Sequence, residues 1–145
     1  MKVSFEEITK EKEEEIIVRC YEVTPELIQI VGQLKKGNTS LIGYDGENIY
    51  RLRYQEVYYF ESVDNKVFIY TKNKVYESKM KLYEIEEACS TKKLLRASKS
   101  TIINITKIAY IRPTISGRFE AILDNGETVV VSRQYVPVLK EKLGI

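Results

Sequence analysis

Histidine is absent from this 145-residue chain, which removes the commonest general base and the commonest metal ligand. Without it no Ser-His-Asp or Cys-His set can be assembled, so the familiar nucleophilic hydrolases are excluded. Cysteine is scarce: Cys20 and Cys89 lie far apart and match no CxxC spacing. Two free thiols in a reducing compartment are therefore expected. No GxGxxG or GxxxxGK[ST] stretch occurs, which leaves phosphate cradling by a glycine loop unsupported. Carboxylates are plentiful, but nothing in the sequence brings two of them to glycosidase distance. The hydroxyl cluster at residues 98–101 reads as loop or strand surface. The chain is not expected to be an enzyme, to act on a small-molecule substrate or to need a cofactor. Long apolar runs are lacking too, so no segment is expected to span a bilayer. Acidic residues, not an apolar stretch, follow Met1-Lys2-Val3, so no secretory signal is expected and a cytoplasmic location is.

What is present suits a globular protein. The length is enough for one medium domain with a real core, or for one domain plus a short extension. Charge is unevenly spread. Residues 1–45 hold six basic side chains against nine acidic, whereas residues 46–145 hold seventeen against twelve. The basic excess thus lies in the larger C-terminal part, where an anionic partner would dock. The excess is modest and does not identify that partner by itself.

Along the chain, Lys10-Glu11-Lys12-Glu13-Glu14-Glu15 reads as a solvated hairpin connection, and the β-branched stretch Ile16–Tyr21 as a strand. The clearest helix follows. Thr24 is placed to accept from the first free amides, Pro25 needs no N–H at the first helical position, and Glu26 complements the dipole. Leu27, Val31 and Leu34 recur at helical spacing, and Gly37 supplies a stop. The loop 37–40 is the natural module boundary, giving an extension over residues 1–44 and a domain over residues 45–145. From Leu41 the texture is short strands and turns. Strands are predicted at Val57–Phe60, Val67–Tyr70, Thr101–Ile105, Ile108–Ile111, Phe119–Leu123 and Thr128–Val131, the last two joined by a strong Asn125-Gly126 hairpin signal. Leu82, Ile85 and Cys89 mark a short helix, and Val136, Leu139 and Leu143 a last one ending at Gly144.

One set of motifs carries more information than any of these. Tyr59-Phe60-Glu61-Ser62 begins it, followed by Leu82-Tyr83-Glu84-Ile85-Glu86. Then comes Arg96-Ala97-Ser98-Lys99-Ser100-Thr101-Ile102-Ile103-Asn104, and lastly the Asn-Gly hairpin and Val131-Ser132-Arg133-Gln134-Tyr135. In this order the motifs closely resemble the LytTR family of bacterial DNA-binding domains, over roughly Asn48 to Ile145. Residues 1–44 do not resemble a receiver domain. They are similar to the strand–strand–helix extension of small stand-alone members of the family.

The resemblance implies a mainly-β fold: an elongated, multi-sheet LytTR-like architecture with short helices, preceded by a small β-β-α extension. It implies binding to double-stranded DNA with repeated half-sites, as a homodimer, through loop side chains in successive major grooves. It also implies a small membrane protein as a regulatory partner. Three places match the family's contact loops: Asp64-Asn65-Lys66, Ser98-Lys99-Ser100, and Ser132-Arg133-Gln134. Lys66 sits in a turn, where an exposed lysine is expected in any case. Lys99, flanked by hydroxyls, suits phosphate or guanine. Arg133 could pair with a nearby acid, but at a helix start it opposes the dipole, which a phosphate or guanine partner would offset. Gln134 could read adenine or be solvated. Arg96 could bind DNA or be structural, and Asn104 is expected to satisfy backbone groups. Tyr54, Tyr58, Tyr59, Tyr70 and Tyr76 are an alternative as stacking platforms for single strands. The competing function is a protein-interaction module of the same fold that regulates by pairing, without specific DNA binding of its own.

Overall fold

In the computed structural model, which describes residues 1–36, 41–89 and 93–145, the chain divides into two compact units, Met1–Lys35 and Lys36–Ile145. In the first, the helix α1 spans Pro25–Lys36. It starts where the sequence predicts: the Leu27 N–H donates to Thr24 Oγ1 at 3.2 Å and the Ile28 N–H to the Thr24 carbonyl at 3.1 Å. Its expected stop at Gly37, and the loop 37–40, lie outside the described residues. The two strands expected ahead of it do not form, because Ile16–Tyr21 has no neighbouring strand with which to share a ladder. The charge run does turn the chain, with the Lys12 N–H donating to the Thr9 carbonyl at 3.0 Å, but no hairpin follows.

The second unit is built from two antiparallel sheets. Its elements are β1 (Leu41–Asp45), β2 (Asn48–Leu52), β3 (Val57–Val63), β4 (Lys66–Thr71), β5 (Val75–Ser78), α2 (Leu82–Ala88), β6 (Leu94–Arg96), β7 (Thr101–Asn104), β8 (Ile108–Pro113), β9 (Phe119–Leu123), β10 (Thr128–Val131) and α3 (Val136–Leu143). Seven strands form one sheet in the order β2-β1-β5-β4-β3-β7-β6, and three form another in the order β10-β9-β8. The division expected after residue 44 falls within β1, which pairs along its length with β2.

The larger sheet is covered on both faces around β3 and β7. Phe60, Ile69 and Ile102 pack with Leu82, Ile85 and Cys89 of the α2 region. Tyr58, Leu95 and Ile103 pack instead with Leu123, Val131 and Leu139, from the second sheet and α3. That two-sided burial explains why β7 is buried at every position, without alternation. Alternation also breaks in β3. A register irregularity between Val57 and Tyr59 lets Tyr58 and Tyr59 both pack with the second core, as a bulge does.

Close packing shows most sharply at Gly43 in β1. A Cβ there would lie 2.8 Å from both Leu52 Cδ1 and Tyr76 Cβ. Gly43→Ala is expected to destabilise the fold by about 1–3 kcal/mol, the usual cost of overpacking. Urea unfolding checks this; an unchanged midpoint would mean the β1–β2–β5 corner yields freely.

Candidate nucleic-acid interface

Each candidate loop is set by backbone chemistry. Between β3 and β4, Asp64 and Asn65 both adopt positive φ, 53° and 63°. This is the left-handed pair of a two-residue hairpin turn, which short polar side chains tolerate. Lys66 begins β4 opposite Val63, and both Asn65 and Lys66 are exposed.

The 97–100 loop is held from several directions. The Ala97 and Ser98 N–H groups donate to the Thr101 carbonyl, at 2.9 and 3.3 Å, and the Ser62 N–H of β3 donates to the Ser100 carbonyl at 2.8 Å. Arg96 supplies the rest. Its Nε donates to the Ser98 carbonyl at 2.7 Å, its Nη2 to the Lys99 carbonyl at 2.6 Å, and its Nη1 to Glu86 at 2.9 Å. The guanidinium is therefore committed to the shape of the loop, while Lys99 itself points its charge into an exposed position. Ser98 is half-buried, its Oγ accepting from the Ser100 N–H at 3.2 Å.

The third loop joins the second. The Ser132 N–H donates to the Ala97 carbonyl at 2.8 Å, and the Ser132 carbonyl accepts from Tyr135 and Val136 at 2.9 and 3.2 Å. Ser132 thus couples the 97–100 loop to the start of α3, leaving Arg133 and Gln134 exposed between them. A fourth turn, between β8 and β9, was not among the sequence-derived candidates. Gly117 has φ 79°, and a Cβ on it would meet Arg133 Cδ at 3.0 Å. The glycine therefore admits both the turn and the aliphatic stem of Arg133. Beside it, exposed Arg118 lines a concavity of about 470 Å³ with Glu61, Ser98, Ser100, Thr128 and Ser132. The Ser116-Gly117-Arg118 run signals a turn in sequence. The approach of Gly117 to Arg133, sixteen positions on, exists only in the folded chain.

Electrostatically this face is mixed. Lys66, Lys99, Arg118 and Arg133 are exposed, but so is Asp64, and Glu61 lines the concavity. Neither Lys99 nor Arg133 takes part in an ion pair among the described residues.

The tyrosines behave differently from a stacking platform. Tyr58 donates to Asp124; this bond, helped by burial, pushes its pKa up to about 12. Burial, with Cys89 close by, takes Tyr54 to about 12. Tyr59 is raised by burial and then by Glu127, and its ring stacks on Tyr70 at 4.2 Å between centroids. Tyr76 packs against Tyr50 at 5.1 Å. These rings face one another or the core. Asn104 is buried, with its Nδ2 donating to the Val57 carbonyl at 2.7 Å and its Oδ1 accepting from the Thr106 N–H at 3.0 Å. Its role is structural, as its place ahead of a turn suggests.

Comparison with known proteins agrees with this architecture. The sequence profile of the LytTr DNA-binding domain matches residues 47–144. The sensory transduction protein LytT of Enterococcus faecalis is 34% identical over 143 residues, 95% of this chain, which spans 59% of that relative's length. An HTH-type transcriptional regulator of Staphylococcus aureus is 29% identical over 119 residues, covering 82% of this chain and 80% of its own. Among solved structures, the LytTr DNA-binding domain of a methyl-accepting/DNA response regulator from Bacillus cereus superposes with a TM-score of 0.70 at 26% identity. The match covers 75% of this chain and 100% of the other. With the profile spanning most of the chain and the mainly-β fold shared, the protein belongs to the LytTR DNA-binding domain family.

Proposed function

We propose that this protein is a transcriptional regulator that binds double-stranded DNA sequence-specifically, with two copies on repeated half-sites. The loops rather than a helix enter successive major grooves. Lys99 and Arg133 contact base edges, Gln134 and Lys66 extend the reading along the duplex, and Ser98, Ser100 and Asn65 contact phosphate or base edges beside them. Arg96 acts from behind, as the residue that positions the Lys99 loop. The single observation that supports this reading best is the Ser132–Ala97 backbone bond. It ties the loops of two sheets into one edge from which project two cations that form no ion pair among the described residues. Rigid roots with free polar tips are what direct readout requires.

A mobility-shift assay of genomic fragments against excess random duplex tests the proposal. A small subset should outcompete the random duplex at moderate salt. Its affinity should fall with salt at a slope near −0.9 per phosphate neutralised. If no fragment outcompetes random duplex, specific regulation is wrong, and a module that acts by protein pairing replaces it.

A further inference from the structure

We propose that α1 and the segment leading into it form a docking surface for the same segment of a second copy of this chain, with the two helices antiparallel. This deepens the reading in which two copies engage DNA, and it rests on that reading only for its purpose, since the contact forms without DNA.

Within the first unit the surface is apolar and exposed. Val18, Cys20, Val23, Leu27, Ile28 and Val31, together with Gly32, line a groove of about 380 Å³, with no charged side chain among the described lining residues. Ile16, Ile17, Val23, Ile28, Ile30 and Leu34 are 50–73% exposed. Together these expose on the order of 600 Å² of side chain per copy, approaching the roughly 800 Å² per partner of a standard interface. The unit itself, Met1–Lys35, is below the size at which a core suffices without disulfides, metals or association. Cys20, the cysteine of this unit, forms no disulfide among the described residues.

Three features point to a second copy as the occupant. First, antiparallel pairing of two copies of α1, Pro25–Lys36, sets opposite dipole ends together, so the helix is complementary to itself. Second, Gly32 lies within α1, where it weakens the helix relative to alanine, and a Cβ there would meet nothing within 4 Å. Nothing within the unit requires a glycine at that point, whereas a partner helix approaching closely does. Third, residues 1–35 carry eight acidic side chains against five basic, which disfavours an anionic membrane surface. Interfacial helices are rich in lysine and arginine instead.

Light scattering and sedimentation of the full chain without DNA, across the micromolar range, test this. The wild-type protein should be a dimer. Val31→Glu should raise the dimer dissociation constant at least about 30-fold, as loss of a central contact does. Gly32→Leu should do the same, and unfolding is not expected of this variant, because leucine favours helix and a Cβ at this position meets nothing within 4 Å. A monomeric wild type overturns the proposal, as does a dimer that Gly32→Leu leaves intact. A monomer that co-sediments with phosphatidylglycerol vesicles would overturn it in favour of a membrane surface. Failure of the DNA reading is separately visible, as an intact dimer that selects no fragment.

Discussion

Replacing Lys99 and Arg133 together by alanine is expected to reduce the preference for cognate over scrambled duplex by roughly 30- to 25,000-fold. This is the combined effect of two base contacts worth about 1–3 kcal/mol each. Both side chains are exposed, and neither forms an ion pair among the described residues, so the fold loses little. A surface change of this kind alters stability by within about 0.5 kcal/mol. The stem of Arg133 does lie against Gly117, so some packing goes with it, but on an exposed turn. Fluorescence anisotropy with the two duplexes at one fixed salt concentration reads the ratio directly. An equal loss on both duplexes would reassign the pair to phosphate contact. A large fall in melting temperature would assign them to structure.

Asn104→Ala should have the largest effect on stability, about 3 kcal/mol. The side chain is 4% exposed and serves both ends: its amide donates to the Val57 carbonyl, and its oxygen accepts from the Thr106 N–H and hydroxyl. Alanine would leave a carbonyl and an N–H without partners at the junction of β7 and the following 3-10 turn. Each such group costs about 1–3 kcal/mol. Asn104→Asp separates the two ends, because a carboxylate still accepts from Thr106 but cannot donate to Val57. It should recover only part of the loss. Urea unfolding of both variants measures it; a loss under about 1 kcal/mol would mean water replaces the amide.

Most of the second unit was legible from residue pattern. The strand pair Phe119–Leu123 and Thr128–Val131 has the bounds the sequence predicts, because Asn125-Gly126 sets a local turn, with Gly126 at φ 89°. The two short helices were equally plain, since Leu82, Ile85 and Cys89 are all buried on one side. Ile16–Tyr21 was misread. Its β-branched composition expresses a preference for strand, but a strand needs a neighbour, and propensity does not supply one.

What the sequence determined by itself is the local chemistry: where turns fall, which residues cap helices, and which polar and basic residues occupy loops between strands. Its ordered motifs also pointed to the family that the comparisons established. What only the tertiary structure decided is which loops meet. The Ser132–Ala97 bond, the seating of Arg133 on Gly117, and the pairing of Arg96 in β6 with Glu86 in α2 join residues from different elements. Such contacts depend on sheet order and on burial of β3 and β7 from both faces. They are properties of packing between distant segments, and no local pattern records them. The apolar face of α1 follows the same logic: the sequence shows the stripe, and the fold of the first unit shows which of its side chains that unit does not bury.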